Sequence, residues 1–332
     1  MPSIYKQGGE LHRIYVFHCS PFIFILSTLL SIMTIPPSLI RPNFPKPKPD
    51  PIDFFQKAFS TARIGKYFEF VSSTKETTDK DIKNAMMLYE INMIYCECLY
   101  PSLHTLEIAL RNYIDISLIN KYSLNWFICN NDSFKYSISK IKNRRNIDII
   151  IPNNNITILL NYEEEKIVSA INDTMKNIFK KSGEKYTGNQ CFKITDNRDE
   201  IITNLSLGFW TALLTHNKYR NIVFGACYKS IFPNANKECT HDNVSNILKD
   251  IKDLRNRVFH HEPIWYYHNL KDIYDNIYKF INWIDPNLEI WLRQDSKIDR
   301  FPEIYENLSQ EIKILTQKNT TKKIQYEDRS YA

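Results

Sequence analysis

Residues 243–265 read NVSNILKDIKDLRNRVFHHEPIW. At ~100° per residue, Ile247, Ile251, Leu254 and Val258 fall on one narrow stripe, the face a helix turns toward a core. Asn256 and His260, four residues apart, lie together on the other side. Arg255 sits on the shoulder with a side chain long enough to reach round, and His261 projects back toward the apolar stripe. Pro263 disfavours helical geometry at the residue before it. The pattern therefore predicts a helix over Asn243–Glu262, with Pro263 able to unwind its last turn and re-aim both imidazoles.

A helix with one apolar stripe needs neighbours, and the chain supplies them on both sides. Ala85, Leu88, Asn92, Tyr95 and Leu99 recur at three- and four-residue steps and predict a helix over Ile82–Tyr100. Pro101 and Ser102 punctuate it, and Ser102 can cap a second helix over Leu103–Ile119. Further helices are expected over Glu163–Lys181, Glu200–Leu214 and Asp272–Ile284. Between them, Asn143–Asn161 is rich in Asn and Ile and contains Pro152, which reads as a variable insertion with a strand as one option. Gly183–Asn197 is a polar connection. The expected class is all-α. Folded structure spans 54–295, and a polar C-terminal tail, frayed from Thr316, spans 296–332.

Composition agrees with this class. The 332 residues are 43% hydrophobic and 24% charged, enough to bury a sizeable core. Only 7 glycines occur, none in a GxGxxG or GxxxxGK arrangement, which argues against nucleotide-cradling loops. The 43 Lys and Arg against 37 Asp and Glu give a formal charge of +6. That is compatible with a nucleic-acid partner and equally with a solvated mixed-charge surface. Seven cysteines without a disulfide-like framework suggest reduced thiols in a cytosol. Cys96/Cys98 and Cys239/His241 have only loose metal-ligand spacing, so neither a metal nor an organic cofactor is expected.

Residues 1–53 stand apart. Ile14–Ile35 is an apolar run near the ~20 residues that a spanning helix needs. A Pro- and Lys-rich leader, Pro36–Pro51, follows it. The run reads as a membrane segment, as translated upstream sequence ahead of a true start at Met33, or, as a third choice, as a secretion signal. The domain beyond it reads as cytoplasmic, with membrane anchoring through 14–35 as the alternative.

Arg255-Asn256-Arg257-Val258-Phe259-His260 holds an Arg, a polar residue, three others and a His. A similar match, Arg13 to His18, has Ile14 in the polar position and is set aside. These residue types suit RNA cleavage without a metal. Attack of a 2′-hydroxyl on its phosphate needs a proton acceptor or donor that titrates near neutrality, and His is that side chain. The transition state gathers charge on phosphoryl oxygens, which a guanidinium can hold in two places. Asn256 can orient the ring or contact phosphate. One helix supplies one such set, so two sets facing across a dimer make a fuller site. The competing interpretation is a hydrogen-bonded helix end with no catalysis.

Five segments in order resemble one family. They are Phe59–Tyr67 (FSTARIGKY), Leu88–Asn92 (LYEIN), Leu106–Asn112 (LEIALRN), Leu205–Trp210 (LSLGFW) and Leu254–Trp265. The chain resembles the Abi-like proteins, associated with bacterial abortive infection of phage and belonging to the HEPN superfamily. The resemblance covers roughly 54–295 and implies a HEPN-like helical bundle, a homodimer and an RNA partner. Many members are metal-independent endoribonucleases, which would make Arg255, Asn256 and His260 catalytic. Others bind RNA or partners without cutting, and a toxin of this kind can have a neutralising antitoxin. His261, Glu107, Arg111 and Asn112 are further candidates: Glu107 and Arg111 either line the same cleft or form an ordinary i to i+4 salt bridge. Asn92, Phe209 and Trp210 read as core.

Overall fold

The computed structural model describes residues 57–72, 78–129, 131–145, 147–152, 163–182, 191–295 and 298–316. Everything expected of residues 1–53 lies outside them. Among the described residues no helix is long and apolar enough to cross a membrane.

The protein is predominantly helical, and one long helix organises it. After α1 (Thr61–Val71) comes α2 (Asp79–Lys121), 43 residues and ~65 Å long. A capping box starts α2: the Asp81 amide donates to Thr78 Oγ1 at 3.2 Å, and the Thr78 amide donates back to Asp81 Oδ2 at 3.0 Å. The expected stripe is its core face, since Ala85, Leu88, Asn92, Tyr95 and Leu99 are all buried. The expected break at Pro101 does not occur. Pro101 lies inside α2, and Ser102 caps nothing, its hydroxyl donating to the Leu99 carbonyl at 3.0 Å. Leu99 and Leu103 are both buried on either side of the proline, and that shared packing outweighs its local penalty of ~3 kcal/mol.

Next come α3 (Asp132–Arg145), β1 (Asp148–Ile150), α4 (Glu164–Ser182) and β2 (Cys191–Lys193). The strand option within Asn143–Asn161 is β1, although 143–145 close α3 and 153–161 lie outside the described residues. Its parallel partner β2, with Ile149 opposite Phe192, sits in what read as a polar connection. The helix expected over Glu200–Leu214 is two, α5 (Arg198–Thr203) and α6 (Leu207–Thr215). The break has side-chain causes: Asn204 donates to Thr174 Oγ1 at 2.8 Å, and the Trp210 indole donates to the Leu205 carbonyl at 3.2 Å. Phe209 and Trp210 are fully buried against Trp126, as core aromatics.

A 3₁₀ turn (217–219) and a π-helical turn (220–224) lead into α7 (Gly225–Ile231). Then α8 (His241–Phe259) carries the motif, capped by Thr240 Oγ1 accepting from the Asn243 amide at 3.3 Å. Two further helices, α9 (Leu270–Ile284) and α10 (Pro286–Gln294), lead to α11 (Phe301–Thr316). The last corrects the expected tail: α11 buries Phe301, Ile312 and Leu315 and packs on α2. Helices α1, α7, α9 and α11 all pack against α2, and α8 lies between α6 and α9. Among the described residues Cys96, Cys98, Cys129, Cys191, Cys227 and Cys239 are unpaired thiols. Burial pushes Cys96 and Cys239 up to about 11 and Cys129, with help from Glu164, to about 12.

Candidate active site

The motif helix presents its residues much as its periodicity requires. Ile247, Ile251, Leu254 and Val258 are buried, Asn256 and His260 are exposed, and Arg255 is half-buried on the shoulder. Arg255 crosses to α2, donating from Nε to Glu107 Oε2 at 3.1 Å and from Nη2 to Glu107 Oε1 at 3.4 Å. Its guanidinium also lies 4.2 Å over the ring of Phe259, one turn on. Phe259 in turn stacks on Tyr100 of α2 at 5.4 Å. Aromatic packing and a fork of two hydrogen bonds thus fix the guanidinium plane.

Glu107 therefore serves Arg255 across the helix interface, which a local salt bridge to Arg111 would not have provided. Arg111 is near enough for Glu107 to act on it. Burial lowers the Arg111 pKa while the Glu107 charge works to raise it, and among the described residues the buried Nε of Arg111 has no hydrogen-bond partner. Asn112, the next residue, is exposed.

Helix α8 ends in a Schellman turn. The Glu262 amide donates to the Arg257 carbonyl at 2.8 Å and the His261 amide to the Val258 carbonyl at 3.3 Å. The left-handed position of such a turn usually belongs to glycine, and here it is His261, at φ 57°. This takes His261 out of the helical position over the apolar stripe that its spacing predicts. The helix stops at Phe259, and His261 is exposed, lining a groove beside Val258 at the end of the stripe. Arg257 is spent on the same turn, pairing with Glu262 at 3.4 Å and donating to the Tyr266 hydroxyl at 3.0 Å.

Asn92 clamps the turn from α2. Its side-chain carbonyl accepts from the buried Ile264 amide at 2.7 Å, and its Nδ2 donates to the Glu262 carbonyl at 3.3 Å. The core hydrogen bond expected of Asn92 is thus the device that sets where the two histidines emerge. Asn92→Ala is expected to cost ~1–3 kcal/mol, because the Ile264 amide stays buried without an acceptor. Urea unfolding at constant m-value measures it, and a loss within error would show that the turn holds itself.

Between α2 and this turn lies a groove of about 490 Å³, lined by Cys96, Glu97, Tyr100, Pro101, His261 and Arg300. Arg300 lies in the segment expected to be tail, and it donates to Glu97 Oε1 at 2.6 Å. Sequence patterning pointed to none of Tyr100, Phe259 or Arg300. The usable signal was an aromatic at an exposed position of an otherwise regular stripe. No family model, curated protein or solved structure matches this chain.

Proposed function

We propose that this chain is a metal-independent endoribonuclease of the Abi-like, HEPN kind, acting as a cytoplasmic homodimer in phage defence. The observation that carries the proposal is the Arg255–Glu107 fork, with Arg111 beside it and Asn256 and His260 exposed on the same helix. The guanidinium is oriented before any RNA arrives, so little reorganisation is needed to meet a phosphate. His260 takes the proton of the 2′-hydroxyl or returns one to the departing 5′-oxygen. The new bond from O2′ to phosphorus closes a 2′,3′-cyclic phosphate as the bond to O5′ breaks. Asn256, four residues before His260, contacts the phosphate or steadies the ring.

The outward face of α2 supports a homodimer. Met93 and Tyr100 stand seven residues apart on one face, a short apolar stripe 50% and 47% exposed. A second copy meeting this stripe would bring a second Arg–His set to the first, one histidine acting as base and the other as acid.

The test is incubation of the protein with total RNA in excess chelator. Cleavage leaving cyclic phosphate ends, lost in His260→Ala, is the expected result, and expression of the wild type alone should slow growth. Intact RNA after incubation with a folded dimer would sink the proposal. It would leave the second reading, a binding module that does not cut.

A further inference from the structure

Helix α3 carries five basic residues, Lys135, Lys140, Lys142, Arg144 and Arg145, against one acidic residue, Asp132. Phe134 and Ile138 are buried beneath it, while Lys135, Tyr136, Lys140, Lys142 and Arg144 are exposed. Tyr136, Lys140 and Arg144 stand four residues apart and form one row ~12 Å long. Lys140 Nζ lies 4.3 Å over the Tyr136 ring, which is 62% exposed. Lys142 pairs with Asp148 at 2.5 Å, but among the described residues no carboxylate pairs with Lys135, Lys140 or Arg144. On the adjoining α4, by contrast, Lys166 and Lys176 each have an acid one turn away, Glu163 and Asp173.

A solvated helix face ordinarily mixes signs at i and i+4, since unrelieved like charges repel. The helix dipole accounts for cations in the last turn of α3, but not for Lys135 near its positive end. A row of uncompensated cations with an exposed aromatic among them is the composition that single-stranded nucleic acid selects. Ammonium and guanidinium groups track the phosphates while a base stacks on the ring.

We infer that the outward face of α3 is a docking surface for single-stranded RNA, separate from the Arg255–His260 set. The inference rests on the ribonuclease reading for its choice of polyanion. Neutralising three phosphate contacts should lower the salt dependence of binding by ~2 in log–log slope, at ~0.7 per contact. Removing the stacking ring should weaken binding about tenfold.

The experiment measures binding of a fluorescent 2′-O-methyl polyuridine, which cannot be cut, across a salt series. Wild type is compared with Lys135→Gln/Lys140→Gln/Arg144→Gln and, separately, with Tyr136→Ala. Glutamine keeps helix propensity, and all the altered side chains are exposed, so both proteins should fold. The expected result is weaker binding with a flatter slope in the triple variant and about a tenfold loss in Tyr136→Ala. If wild type binds and both variants match it in affinity and slope, α3 is not the docking surface and the ribonuclease reading stands. If wild type ignores the oligonucleotide at low salt but binds phosphatidylserine vesicles, the RNA assignment of α3 is overturned, and the RNA reading of the protein falls with it.

Discussion

Asp115→Ala is expected to cost ~3–5 kcal/mol of folding stability, the range for stranding one member of a buried ion pair. Asp115 Oδ1 accepts from Arg198 Nη2 at 2.5 Å and from the Trp126 indole at 2.8 Å. The Asp115 and Arg198 side chains are only 11% and 8% exposed. Without the carboxylate, the guanidinium keeps the Leu124 carbonyl, 2.9 Å from Nε, and the exposed Asp199 at 3.3 Å. Neither replaces a buried counter-charge. Asp115→Asn should cost less, because its amide oxygen still accepts from Trp126. Urea unfolding at constant m-value measures both. A loss below ~1 kcal/mol in the alanine variant would mean that Asp199 swings in to take over. The cluster ties the distal end of α2 to the 124–127 turn and to α5, so its failure should loosen the chain around α3 first.

His260→Ala is expected to slow RNA cleavage by about a hundred- to ten-thousandfold, the usual contribution of one general acid–base group. Stability should scarcely change, since His260 is exposed and only its backbone amide, donating to the Asn256 carbonyl at 2.9 Å, serves the fold. That separation makes it the cleaner probe. Arg255→Ala also leaves Glu107, whose side chain is 14% exposed, without its fork, so lost activity there mixes with lost packing. Arg255→Lys keeps the charge but cannot bond two oxygens in one plane, and should lose most of the rate while keeping the fold. Combining His260→Ala with Arg255→Lys should cost little more than either alone if both act on one transition state. Full additivity would mean that the two side chains act independently, whereas an unchanged rate in Arg255→Lys would mean that Arg255 serves structure only.

How much of this was legible depends on the range of the interactions involved. The α8 stripe and the stripe at Ala85–Leu99 were readable because a helical period survives in any sequence that must bury one face. The continuity of α2 through Pro101 was not, because a proline signals a break locally and only packing on both sides of it overrides that signal. The strand option within 143–161 is realised as β1, but its partner β2 escaped because it is three residues long and lies some forty residues away. Helix α11 was missed although Phe301, Ile304, Tyr305, Leu308, Ile312 and Leu315 carry helical spacing, because those residues count as core only once α2 lies against them.

The sequence by itself determined the helical class, the core faces of α2 and α8, and the outward placement of Asn256 and His260. All of these follow from the 3.6-residue period and from residue polarity. Tertiary structure alone decided that Glu107 holds Arg255, 148 residues away, that Asn92 clamps the turn beyond His260, and that His261 faces outward at positive φ. Those three depend on which helices meet and in what register. A periodic pattern says which side of a helix seeks a partner, but not which partner arrives.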